Sequence, residues 1–205
     1  MINGLFGLPG AGKTLHLAYI ADRAIHKKSM SFGFLGVHRF SNVNRRKYPY
    51  DRVYTTFPML GAYKLDYETF GKQQYENSLL VIDEIMMFSD SRDFKSFTPE
   101  LKFFWSQHRH FGCDIVYASQ SYDDMDKKIR GLTDSYYYID SYPFLSVVKP
   151  IRSSFDIRNG QIIQGFEFAH WLCNFWYLRR LRYGLVDTNY SVKMPLLSLN
   201  DSVMW

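Results

Sequence analysis

The stretch Gly7-Leu8-Pro9-Gly10-Ala11-Gly12-Lys13-Thr14 decides how the rest of this chain is read. It fits a pattern of glycine, four free positions, then glycine, lysine and a hydroxyl residue. Its flanks matter as much. Ile2-Asn3-Gly4-Leu5-Phe6 is a short apolar strand, and from about Thr14 to Lys28 the residues Leu17, Ile20, Ala21, Ala24 and Ile25 recur at helical spacing. A strand, a glycine loop and a helix in that order make a phosphate cradle. Glycines let backbone N–H groups converge on one anion, and the helix N-terminus adds its positive end. Lys13 then places an ammonium at the outer phosphates of a nucleotide, and Thr14 offers a hydroxyl to Mg²⁺. The expected ATP contacts are Gly7, Pro9, Gly10, Ala11, Gly12, Lys13, Thr14 and Leu15.

Downstream, Leu79-Leu80-Val81-Ile82 is a continuous apolar run, as in a strand covered on both faces, and it ends in Asp83-Glu84. Alone, such a run says little. Placed 69 residues after Thr14, behind a complete phosphate loop, it is the expected second half of the site. Asp83 is expected to hold Mg²⁺ together with Thr14, and Glu84 to orient and deprotonate the attacking water. A glutamate at that position favours hydrolysis over transfer to a small acceptor. The next buried strand, Asp114 to Ala118, leads to Gln120, placed either to sense the γ-phosphate or to cap the turn. Transferred phosphoryl groups are often stabilised by an arginine from a neighbouring subunit, for which Arg92, Arg109 and Arg130 are the candidates. Arg109 lies in His108-Arg109-His110, a cluster expected to pack at the strand entrance or to face a neighbour.

The remaining elements fill in the fold. Val53 to Phe57 reads as a strand closed by Pro58. Thr98 is a fitting N-cap and Pro99 a fitting first residue for a helix reaching His108 or Arg109. Tyr136 to Ile139 reads as a strand. Ser146 to Arg158 and Gln161 to Phe168, joined by Asn159-Gly160, read as a hairpin, because Asn-Gly supplies the positive φ angles of a type I′ turn. The expected architecture is α/β, three layers of helix, sheet and helix, with a mostly parallel central sheet and a C-terminal antiparallel extension. One domain over 1–205 is expected, with a nucleotide-binding core over 1–140 and the extension over 141–205.

Composition sets the boundaries. At 205 residues, 46% of them hydrophobic and 18% aromatic, the chain has enough apolar surface for one core and is not a disordered polymer. Two cysteines, Cys113 and Cys173, exclude a disulfide scaffold and suit a reducing compartment. No signal peptide is expected at the start. The apolar stretch Phe166 to Leu178 is broken by Glu167, His170 and Asn174, and it falls short of the ~20 apolar residues that span a bilayer. Positive charge is concentrated: eight lysines and arginines oppose two aspartates over residues 21–52, a net +6 against +5 for the whole chain. With Phe34, Phe40, Tyr48 and Tyr50 interleaved, that segment is suited either to tracking nucleic-acid phosphates or to a solvated loop. Near the end, Trp171, Leu172, Phe175, Trp176, Tyr177 and Leu178 precede Arg179, Arg180 and Arg182. These either meet a membrane interface or close the core of the extension, with the arginines coating its outside.

Taken together, LPGAGKT near the N-terminus, LLVIDEI, the block HRHFGCDIVYASQ, DMDKKIRGL and the late GLVDTNYS resemble the zonula occludens toxin (Zot) family, the gene I-type assembly ATPases of filamentous phages. The resemblance covers Gly4 to about Ser191. It implies a P-loop NTPase fold of the FtsK/HerA kind and an ATP-driven motor. The motor extrudes single-stranded DNA, or a nucleoprotein of it, while coat and other phage assembly proteins are added. It also implies self-association in a ring, expected to be a hexamer, at the cytoplasmic face of the host inner membrane. Contact with that membrane would be direct or through a partner chain, and no transmembrane segment is expected within this chain. Two alternatives stay open: a viral DNA-packaging ATPase of the same superfamily, and a nucleotide-binding scaffold or toxin-like protein.

Overall fold

A computed structural model describes residues 1–26, 50–73, 75–87, 98–123, 125–158, 161–169 and 174–185. Most of the basic segment, Arg92, the Asn159-Gly160 turn, Trp171, Leu172, Cys173 and the late GLVDTNYS motif from Val186 onward lie outside these residues.

Nine strands form one sheet among the described residues. In chain order the elements are β1 (Ile2–Phe6), α1 (Lys13–Ile25), β2 (Arg52–Thr55), β3 (Tyr63–Lys64), β4 (Ser78–Ile82), α2 (Pro99–Gln107), β5 (Asp114–Ser119), α3 (Lys127–Leu132), β6 (Ser135–Ser141), β7 (Leu145–Arg158), β8 (Gln161–Phe168) and β9 (Phe175–Leu178). Across the sheet they run β3-β2-β4-β5-β1-β6-β7-β8, with β9 also paired to β7. All pairings from β3 to β6 are parallel, and those of β7 with β6, β8 and β9 are antiparallel. The expected α/β sheet, mostly parallel with an antiparallel extension, is the one formed. Because β6 pairs with both β1 and β7, the extension continues the same sheet.

Alternation along each strand explains the two cores. Leu5, Leu79, Val81, Val116 and Ala118 face α1 and pack with Leu15, Leu17, Ala18 and Ala21. Ile2, Leu80, Ile82, Ile115 and Tyr117 face the other way and pack with Leu101, Phe104 and Trp105 of α2 and Ile129 of α3. A strand buried on both faces has no polar side, hence the continuous apolar runs in the sequence. Thr98 caps α2 as expected, its hydroxyl accepting from the Leu101 N–H at 3.3 Å. Cys113 is buried, and its thiol donates to Tyr75 O. The parallel topology brings the C-terminal ends of β1, β4 and β5 to one edge, where ligands bind in such sheets.

The extension is fastened to α1 by a buried arginine. The Arg182 guanidinium lies 3.6 Å from the Tyr19 ring centre and 3.8 Å from that of Tyr177, and donates to His16 Nδ1 at 3.2 Å. This overturns the expectation that Arg182 coats the outside or faces a membrane; the residue is 7% exposed. Burial pushes its pKa down to about 10, against the raising effect of the two tyrosines, so it stays charged at neutral pH. A desolvated cation between two rings contributes about 2 kcal/mol or more. Arg182→Met, which keeps the stem but loses the charge, is therefore expected to lower unfolding stability by about 2 kcal/mol. An unchanged urea midpoint would show that the cage is only a packing contact.

Candidate functional site

The loop between β1 and α1 has the backbone that its glycines permit. Gly10 and Gly12 have φ of 74° and 95°, in the left-handed region. A Cβ on Gly12 would stand 2.9 Å from Ser146 Oγ and 3.0 Å from the Tyr177 hydroxyl oxygen. Gly12 is also the N-cap of α1, and no side chain caps the helix there, so the first-turn N–H groups remain for a ligand.

Three successive loop carbonyls are pinned from outside by the extension. Arg179 Nη1 donates to Gly10 O at 3.1 Å, Ser146 Oγ to Ala11 O at 2.9 Å, and the Tyr177 hydroxyl to Gly12 O at 2.9 Å. In a trans peptide the N–H points opposite to the preceding C=O. Fixing the Ala11 and Gly12 carbonyls outward therefore aims the Gly12 and Lys13 N–H groups the other way. The sheet extension sets the shape of the phosphate cradle.

Lys13 is buried, and its ammonium donates to Gly7 O at 2.7 Å and Leu8 O at 3.1 Å, leaving one of its three N–H donors. Desolvation lowers its pKa, opposed by the nearby carboxylates of Asp83 and Glu84. Thr14 Oγ1 donates to Asp83 Oδ2 at 2.6 Å, which joins two residues 69 apart in the chain. Burial pushes the Asp83 carboxyl above its ordinary value, offset in part by the Thr14 bond and reinforced by the Glu84 charge. A hydroxyl and a carboxylate side by side are hard oxygen donors of the kind Mg²⁺ takes with waters and phosphate oxygens, so the residues fit that ion. The Thr56 hydroxyl accepts from the Asp83 N–H at 2.8 Å and steadies the end of β4.

Glu84 has a positive φ of 58°, uncommon for a residue with a side chain, and its Oε1 accepts from Gln120 Nε2 at 3.0 Å. That backbone, at the end of β4, turns the Glu84 side chain toward Gln120 and the cleft. The sequence reading left Gln120 either to sense a γ-phosphate or to cap the turn; in the structure it lines the cleft and donates to Glu84.

These groups surround one cleft of about 350 Å³, lined by the loop at Pro9, Gly10 and Gly12 to Leu15, by Asp83, Glu84 and Gln120 on one side, and by Arg179 and Tyr183; Ala11, expected from sequence as a contact, is buried and not part of the lining. Gly7 is not part of the lining; its carbonyl holds the Lys13 ammonium, and a Cβ there would meet Ile139 O at 2.5 Å. Two residues proposed from sequence are elsewhere. Arg109, before β5 and so at the opposite edge of the sheet, pairs with Asp134. Arg130, on α3, pairs with Asp123 at 3.4 Å and lies over the Tyr122 ring. Neither lines the cleft. Sequence reasoning missed Ser146, Tyr177, Arg179 and Tyr183. The only signal for Arg179 was its place in a basic cluster after an aromatic run, which does not reveal a contact across 169 residues.

A family model described as zonular occludens toxin (Zot) matches residues 5–157, about three-quarters of the chain. The chain belongs to the Zot family. Among solved structures, the N-terminal domain of zonular occludens toxin from Neisseria meningitidis is similar at 18% identity and a TM-score of 0.51, covering 91% of this chain and 98% of that one. The genome packaging NTPase of Sulfolobus turreted icosahedral virus 2, solved with ATP-gammaS, is similar at 12% identity and a TM-score of 0.42, over 80% of this chain and 95% of that one. The first likeness shows a shared fold; the second is too distant to carry weight. No curated protein matches the chain. Arg179 and Tyr183 lie beyond the residues that the Zot family model matches.

Proposed function

We propose that this Zot-family chain is an ATP-hydrolysing motor that drives assembly and extrusion of a filamentous single-stranded DNA phage through the host inner membrane. The observation that carries the reading is the Thr14–Asp83 hydrogen bond, because it unites the glycine loop with the acidic strand end in one cleft. Family membership supplies the link to phage assembly.

The chemistry follows from the placement of the groups. The Gly12 and Lys13 N–H groups and the Lys13 ammonium bind the phosphate chain of ATP. Thr14 and Asp83 would hold Mg²⁺, which when bound neutralises phosphate charge and fixes the outer oxygens. Glu84 accepts the proton of the attacking water, and Gln120 orients Glu84 through the bond to Oε1. On the extension, Phe144 and Leu181 are about four-fifths exposed and Trp176 and Leu178 about half exposed, and Arg180 is exposed too. Exposed apolar side chains of this size favour a contact with a partner chain, a neighbouring copy in a ring or the membrane face. No helix among the described residues is long and apolar enough to cross a membrane.

The deciding experiment measures ATP turnover with and without single-stranded DNA, together with particle size in solution. Turnover raised by single-stranded DNA in a ring-sized particle supports the extrusion motor. Stimulation by double-stranded DNA alone would transfer the reading to genome packaging. ATP binding without turnover under any of these conditions would leave a nucleotide-dependent scaffold.

A further inference from the structure

We propose that Arg179, carried by the C-terminal extension, is a phosphate ligand supplied in cis, approaching the nucleotide from the side of the loop opposite Asp83 and Glu84. This rests on the nucleotide-binding reading of the cleft and adds to it a residue outside the glycine loop and the acidic strand end.

Sheet order fixes the two sides. Asp83, Glu84 and Gln120 stand at the C-terminal ends of β4 and β5, on one flank of β1. Arg179 follows β9, which pairs with β7 on the other flank, and it lines the same cleft. Its Nη1 donates to Gly10 O at 3.1 Å and its Nη2 to Tyr142 O. Two carbonyls thus fix the plane of the guanidinium without neutralising it. Arg179 Nε is buried and has no hydrogen-bond partner. No carboxylate forms a salt bridge to Arg179 among the described residues. A guanidinium has five donors in a planar fork that matches phosphate oxygens. A cation held at a phosphate loop with donors to spare and no counter-ion is suited to an anion that arrives with the ligand. The buried Arg182 cage lies three residues further on and holds the segment in place.

The test is ATP affinity by equilibrium titration, at low and at high salt, for the wild type and for Arg179→Gln, Arg179→Lys and Lys13→Ala, with the unfolding midpoint of each measured without nucleotide. Losing one charge-assisted contact is expected to weaken ATP binding by about tenfold in Arg179→Gln at low salt. The deficit shrinks at high salt, Arg179→Lys recovers part of it, and the nucleotide-free midpoint stays near wild type. The proposal is overturned if Arg179→Gln binds ATP as tightly as wild type. It is equally overturned if the loss is the same at both salt concentrations and undiminished in Arg179→Lys, since the arginine then only props the loop. If Lys13→Ala binds ATP as well as wild type, the nucleotide site itself is wrong. Loss of binding in Lys13→Ala with none in Arg179→Gln sinks this inference alone.

Discussion

Replacing Glu84 by glutamine is expected to lower ATP turnover by roughly 10²–10⁴-fold while nucleotide binding persists, because a general base is lost and the binding groups are not. Glutamine has nearly the shape of glutamate and still accepts through its amide oxygen, so the Gln120 contact at 3.0 Å can survive. What it cannot do is take a proton from water. Lys13→Ala should behave in the opposite way and abolish binding, since a triphosphate in this cleft loses the buried ammonium beside the loop. The pair separates the two roles. Turnover near wild type in Glu84→Gln would remove Glu84 as the base and leave its left-handed backbone as a feature of the turn alone. ATP binding as tight as wild type in Lys13→Ala would mean that this cleft is not the nucleotide site.

What the sequence made legible follows from how local each signal was. The glycine loop, the buried strand ending in Asp83 and the Thr98 cap are written in contiguous residues, so pattern and spacing revealed them. Their convergence was legible too, because a parallel sheet must bring the C-terminal ends of β1 and β4 together. Thr14 and Asp83 then meet at 2.6 Å. The extension was different. Its hairpin was readable from Asn159-Gly160 between two strand-like runs, but its function was not. Tyr177, Arg179 and Arg182 belong to an aromatic-basic run that suited either a membrane interface or a core closed by the aromatics with the arginines outside. Nothing local says that Tyr177 reaches Gly12 or that Arg182 enters a cage with Tyr19. Those contacts depend on β7 carrying β9 back alongside α1, a tertiary event without a sequence period. The short α3, the two-residue β3 and the four-residue β9 were missed because so few residues show no periodicity. Arg109 was expected at the entrance of β5 or facing a neighbour, and it lies at that entrance, paired with Asp134.

Total ATPase activity is expected to rise more than linearly with protein concentration, because an arginine supplied by a neighbouring copy can be worth ~10³–10⁵ in rate. The geometry within one chain motivates this. Arg109 pairs with Asp134, and Arg130 pairs with Asp123 over the Tyr122 ring, each away from the cleft of its own chain. An arginine that cannot reach its own cleft can still reach a neighbour's when copies are arranged in a ring. A dilution series with particle size measured at every point gives the dependence. Mixing a Glu84→Gln copy with an Arg109→Ala or Arg130→Ala copy then names the donor: two inactive chains restore turnover only where one lends its arginine to the other's intact base. A strictly monomeric sample that turns over ATP at the full specific rate would rule out the trans arginine. Arg179, already at the loop in cis, would then be the described arginine positioned to stabilise the transferred phosphoryl.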